Sequence, residues 1–134
     1  MFTKLSPIPI IILAVAMTLA VGCRKGAPPH DYMGQPVPQV SAKITNDKVK
    51  DAIIRGASVR GWQVVPEQGN QLRATLYVRS HTAVVLIAYT TKTYSITYLD
   101  STNLEYENGV IHPNYNNWVR NLQIAINAEL ARIQ

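Results

Sequence analysis

The chain has 134 residues, 47% hydrophobic and 16% charged, which is enough apolar material for one domain with its own core. Its single cysteine excludes an internal disulfide framework and leaves no thiolate cluster for a metal. The formal net charge is +5, but the basic residues are scattered and none of them alternate with aromatics in a run, so nucleic acid is not an expected partner.

The N-terminus carries the most specific pattern. Lys4 supplies a positive start, and Ile8 to Val21 form an apolar run interrupted by Pro9 and Thr18. That is the layout of a secretory signal, too short and too proline-broken for a comfortable membrane span. The run ends in Leu19-Ala20-Val21-Gly22-Cys23, which resembles the bacterial lipobox, although Ala20 stands where leucine is usual and Leu19 lies one place earlier. In that motif the cysteine thiol receives a diacylglyceryl group and becomes the mature N-terminus. Two or more acyl chains hold a protein firmly at a bilayer, since each buried methylene contributes on the order of 0.8 kcal/mol. Residues 1–22 are therefore expected to be a signal peptide, and Cys23 a palmitate-type lipid anchor. Arg24, in place of an aspartate after the cysteine, resembles an outer-membrane address.

Removing residues 1–22 takes away one basic residue, Lys4, and leaves 12 Lys and Arg against 8 Asp and Glu. Residues 23–44 then read as the lipidated cysteine and a Pro-rich tether, because Pro28, Pro29, Pro36 and Pro38 lie there with Gly26 and Gly34 and no apolar periodicity is visible. About twenty flexible residues reach roughly 25 Å, which would lift the domain clear of the headgroups. His30, Asp31 and Tyr32 are expected to be solvated tether residues.

Residues 45–134 are expected to form the α+β domain. Thr45-Asn46-Asp47 offers a helix cap, and Val49, Ala52, Ile53 and Ala57 follow at helical spacing up to the stop at Gly61, giving a helix over 47–60. Four strands are predicted next, over 62–65, 72–79, 82–89 and 94–99, joined by a Gln68-Gly69-Asn70 turn and two short hairpin loops. Loops at Ser80-His81 and Thr91-Lys92 would place Leu76 opposite Val85, Ala74 opposite Ile87, Ile87 opposite Ile96 and Val85 opposite Tyr98. Both registers collect the apolar side chains on one face. From Tyr115, apolar residues recur with a 3.6 period through Trp118, Val119, Leu122, Ala125, Ile126, Leu130 and Ile133, with Asn114 as the expected cap. The predicted order is α-β-β-β-β-α: a two-layer sandwich of a four-stranded antiparallel meander with both helices on one face.

The opposite sheet face then carries Arg73, Thr75, Tyr77 and Arg79, followed by Thr82, Val84, Leu86, Ala88, Ser95, Thr97 and Leu99. Val84, Leu86 and Leu99 make it more apolar than a plain solvent face needs. Arg73, Tyr77, Arg79, Val84, Leu86 and Leu99 are accordingly the candidate partner-binding residues.

Two further chemistries find little support in the residues. His30, His81 and His112 are far apart, with no pair at helical spacing, so no metal site and no cofactor is expected. A hydrolytic triad of Asp100, Ser101 and His112 would need the serine beside the histidine, but Asp100 and Ser101 are adjacent in sequence and no elbow glycines flank the serine. The residues Arg60-Gly61-Trp62, then Asp100, Ser101, Asn103, Leu104, Tyr106, Gly109, Ile111, His112, Asn114, Tyr115, Asn116, Trp118, Val119, Asn121 and Leu122, resemble the pattern of a family of small, mostly uncharacterised bacterial envelope lipoproteins. The likeness spans residues 45–126, with Pro113 at a position that family leaves variable. It implies an envelope location and a compact α+β fold, and no particular reaction.

The expected function is therefore a non-enzymatic, lipid-anchored domain facing the periplasm. It would bind a protein or envelope polymer, or serve as an accessory subunit of an envelope assembly complex. A small hydrolase built on Ser101 and His112 is the competing reading. Mass spectrometry of the chain recovered from membranes should find Cys23 acylated at the new N-terminus. An unmodified thiol, with the protein in the aqueous periplasmic fraction, would refute the anchor.

Overall fold

The computed structural model describes residues 25–134; the signal peptide expected over 1–22 and the lipid anchor expected at Cys23 lie outside the described residues. Among the described residues the order is β1 (Tyr32–Pro36), α1 (Asn46–Val59), β2 (Gln63–Pro66), β3 (Gln71–Val78), β4 (His81–Tyr89), β5 (Thr93–Thr102) and α2 (Pro113–Leu130). The strands form one open antiparallel sheet in the order β1-β5-β4-β3-β2. The class is α+β, with five strands rather than the expected four.

The extra strand comes from the stretch that reads as tether. Tyr32 pairs with Ile96, and Gln35 and Pro36 pair with Tyr94 and Thr93, with an irregularity between Tyr32 and Gln35 where Gly34 takes φ 57°. Proline and glycine weaken a central strand, but at a sheet edge a missing N–H costs no ladder bond and a glycine absorbs the bulge. β1 is such an edge. Beyond it Val37 is buried, and its N–H donates to the Lys92 carbonyl at 2.9 Å.

α1 begins as its sequence dictates. Thr45 caps it, the side-chain oxygen accepting from the Lys48 N–H at 3.2 Å. It ends where Gly61 adopts φ 81°, with Gly61 N–H on the Ser58 carbonyl and Trp62 N–H on the Ala57 carbonyl. This pair of bonds, with a left-handed glycine between them, is the Schellman stop. α2 starts at Pro113, whose fixed φ suits the first helical position. Its cap is His112, not Asn114: the Asn114 N–H donates to His112 Nδ1 at 3.2 Å.

The β4–β5 pairing follows the expected register, with Tyr89 opposite Tyr94, Ile87 opposite Ile96 and Val85 opposite Tyr98. The β3–β4 pairing is displaced by two residues, with Leu76 opposite Ala83 and Ala74 opposite Val85. The hairpin turns at Arg79-Ser80, where Arg79 takes φ 56°, instead of at Ser80-His81. A shift of two keeps every side chain on its own face, so burial cannot distinguish the two registers.

One buried cluster joins Leu72, Ala74, Val85, Ile87 and Ile96 of the sheet to Val49, Ile53 and Ala57 of α1 and to Val119, Leu122, Ile126 and Leu130 of α2. Both helices thus lie over the same sheet face. They meet at Gly56, where an added Cβ would stand 2.8 Å from the Ile126 Cα and N atoms. Tyr94 and Tyr115 are buried phenols. The Tyr94 hydroxyl donates to Asn127 Oδ1, whereas among the described residues the buried Tyr115 hydroxyl has no partner. Burial pushes both phenols well above the ordinary tyrosine value.

Replacing Gly56 with Ala should lower stability by about 1–3 kcal/mol in denaturant unfolding, although alanine is the better helix former, because the α2 backbone occupies the space. Tyr115→Phe should be neutral or stabilising, since it removes an unpaired buried hydroxyl, while Tyr94→Phe should cost about 1 kcal/mol for the lost bond to Asn127. The raised phenols add a pH dependence. Their contribution is complete below the unfolded tyrosine value of about 10 and is lost progressively as pH rises from there through the higher folded values. The melting temperature should therefore fall at alkaline pH, and less steeply in Tyr115→Phe.

Candidate functional site

The sheet face turned away from the helices contributes no buried side chain. Across β3 and β4 the pairing sets Arg73 beside Leu86, Thr75 beside Val84 and Tyr77 beside Thr82, all pointing outward. On β5 the alternation is broken by a bulge. The pairing steps from Val85–Tyr98 to Val84–Asp100, so Leu99 is an extra residue. Without it Asp100 would follow Tyr94, Ile96 and Tyr98 into the core. With it, Leu99 and Asp100 are both exposed, and Ser101 turns inward opposite Ala83.

The result is a shallow depression of about 340 Å³ lined by Arg73, Thr75, Tyr77, Thr82, Val84, Leu99 and Asp100. It unites four of the six residues expected on this face: Arg73, Tyr77, Val84 and Leu99. Leu86 shares the face but lies outside the depression, half-buried next to Arg73. Arg79 sits in the β3–β4 turn and is not part of the lining. Asp100 is the residue that alternation alone does not place here. A charge at the next core-facing position of a strand was the available sign of a bulge.

The chemistry of the depression is mixed. Arg73 Nε is 2.8 Å from Glu67 Oε1, so its charge is partly answered from the β2–β3 connection. Asp100 Oδ1 accepts from the Ser101 N–H at 2.8 Å. Tyr77 is 63% exposed and Leu99 41%, which offers a phenol and an isobutyl group with little desolvation to overcome.

The Asp100, Ser101 and His112 set is not assembled as a relay. The Ser101 hydroxyl is hydrogen-bonded to the Tyr98 hydroxyl at 2.8 Å, and His112 Nδ1 is occupied as the helix cap. Burial raises the Tyr98 phenol above its usual range, and the bond from Ser101 opposes that shift. No hydrogen bond links Ser101 to His112 among the described residues. His81 donates from Nδ1 to the Asn103 carbonyl at 2.7 Å, fixing the loop after β5. His30 and Asp31 are not free in a tether either. The His30 N–H donates to Asn116 Oδ1 at 2.7 Å, and Asp31 Oδ1 accepts from the Tyr98 N–H at 2.9 Å.

Among the described residues no group of three or more His, Cys, Asp or Glu is placed to hold a metal ion, and no helix is long and apolar enough to cross a membrane. Comparison with protein-family models, with curated proteins and with solved structures finds no match.

His112→Ala should lower stability by about 1 kcal/mol through loss of the α2 cap, read as a drop in melting temperature. Loss of a catalytic activity at unchanged melting temperature would instead assign chemistry to this histidine.

Proposed function

We propose that the protein is a non-enzymatic, lipid-anchored envelope domain that holds a protein or polymer partner on its uncovered sheet face. The observation that carries this reading is the asymmetry of the sheet. Two helices cover one side, while the other keeps Tyr77, Val84, Leu86 and Leu99 beside Arg73 and Asp100 with nothing from the described chain above them. Contiguous apolar area rimmed by polar groups is the mark of an interaction surface on a soluble-facing domain. The lipobox-like Leu19 to Cys23 supports the anchor, and the outer-membrane address rests on Arg24. The accessory-subunit role is the same surface with a larger protein as its occupant.

A photo-crosslinking residue at Tyr77 in intact cells should yield a discrete adduct, and one at Ile124, exposed on the helical side, should not. Leu99→Asp should reduce the Tyr77 adduct several-fold without moving the melting temperature. Equal adducts from both positions, or an adduct indifferent to Leu99→Asp, would refute a site on this face.

A further inference from the structure

The folded body begins almost at the anchor. Gly26 lies against the loop between β5 and α2: an added Cβ there would stand 2.8 Å from the Ile111 carbonyl oxygen. Ala27 exchanges two backbone hydrogen bonds with Ile111, at 3.1 and 2.8 Å. Asn116 then clasps the next residues, its Nδ2 donating to the Pro28 carbonyl at 3.0 Å while its Oδ1 accepts from the His30 N–H at 2.7 Å. Asp31 and β1 continue the seam along β5. The stretch expected to act as a spacer of roughly 25 Å is thus stitched into the domain.

Cys23 precedes Gly26 by three residues, and three residues span at most roughly 11 Å even when fully extended. We infer that the loop of residues 103–112 is the membrane-facing end of the domain, held against the lipid headgroups by this short covalent span. The inference rests on the lipid anchor at Cys23 proposed above. It commits to a lipid bilayer as the occupant, because the acyl chains and the pinned Gly26 cannot be further apart than the span allows. The loop presents Tyr106 and Val110, 48% and 38% exposed, beside Glu105 and Glu107. Two carboxylates gain nothing from an anionic surface, so the orientation comes from chain length rather than charge attraction. It should therefore be insensitive to salt.

A consequence concerns the partner face. β5 runs from the Lys92 turn toward this loop, and its ten residues span roughly 30 Å, so the Lys92 turn is the end of the sheet away from the bilayer. The depression around Tyr77 and Leu99 lies toward the membrane end, since Tyr77 and Thr82 flank the Arg79-Ser80 turn and His81 binds Asn103 of the loop. A partner reaching it is one held close to the same membrane.

The test uses the lipidated full chain in phosphatidylcholine vesicles carrying a small fraction of gadolinium-chelate headgroup lipid. Nitroxide labels are placed singly through Glu107→Cys and Lys92→Cys, both exposed sites; Cys23 is consumed by its lipid. Relaxation of the Glu107 label should exceed that of the Lys92 label several-fold and should persist at high salt. Insertion of about ten Gly-Ser residues between Lys25 and Gly26, with an r.m.s. reach of roughly 17 Å, should level the two. Vesicle-bound protein with equal relaxation, or more at Lys92, would overturn the orientation while leaving the anchor intact. Protein left in the aqueous phase with a free Cys23 thiol would overturn both.

Discussion

Both helices share one side of the sheet because α1 gives up a side chain where α2 crosses it. Gly56 brings the α1 backbone against the Ile126 backbone, and no larger residue fits that gap. A glycine inside a helix is less favourable than alanine by about 0.5–1 kcal/mol, so the position is held by packing against the local preference. Ala52 and Ala57 are buried on the same helix. With both helices committed to one layer, nothing in the described chain covers the other. The bare face that carries the candidate site thus follows from the helix–helix contact.

The second constraint is the capture of the N-terminal segment. β1 adds to β5 with a bulge and a proline, and Val37, Gln39 and Lys92 close the corner at its far end. At its near end the Ala27–Ile111 bridge and the Asn116 clasp tie it to α2 and the preceding loop. These bonds turn a segment with the composition of a spacer into the edge of the sheet. With the lipid anchor proposed at Cys23, a domain built this way would have little freedom to swing, and its surfaces would keep a fixed relation to the membrane. For a binding module that arrangement lowers the orientational cost of meeting a partner held in the same bilayer.

Much of the fold is legible in the residues. The period of α2, the cap at Thr45, the Gly61 stop and the Tyr89–Tyr94 register each follow from a local rule whose physical cause operates within a few residues. The misreadings share a different cause. The β3–β4 register shifted by two because burial repeats every two residues and the turn at Arg79 carries no glycine to announce its positive φ. β1 was hidden because Gly34 and Pro36 signal a linker unless the strand is known to be at an edge. Asp100 falls just past the strand that alternation predicts over 94–99, because a bulge is a property of two paired strands and neither strand alone declares it.

By itself the sequence determined the α+β class, the α2 stripe, the apolar side of the sheet and the chemical character of the opposite side, all of which depend on side-chain periodicity. It took the folded chain to show that Leu99 and Asp100 share an outward surface, that His112 caps α2 instead of facing Ser101, and that Gly26 to Pro36 belong to the body. The bulge and the N-terminal seam depend on contacts between segments distant in the chain, many of them made by backbone N–H and C=O groups that nearly all residue types share, so composition does not record them in advance. The His112 cap is local, but an imidazole there could as well have faced Ser101, and only the path of the chain at α2 settles which.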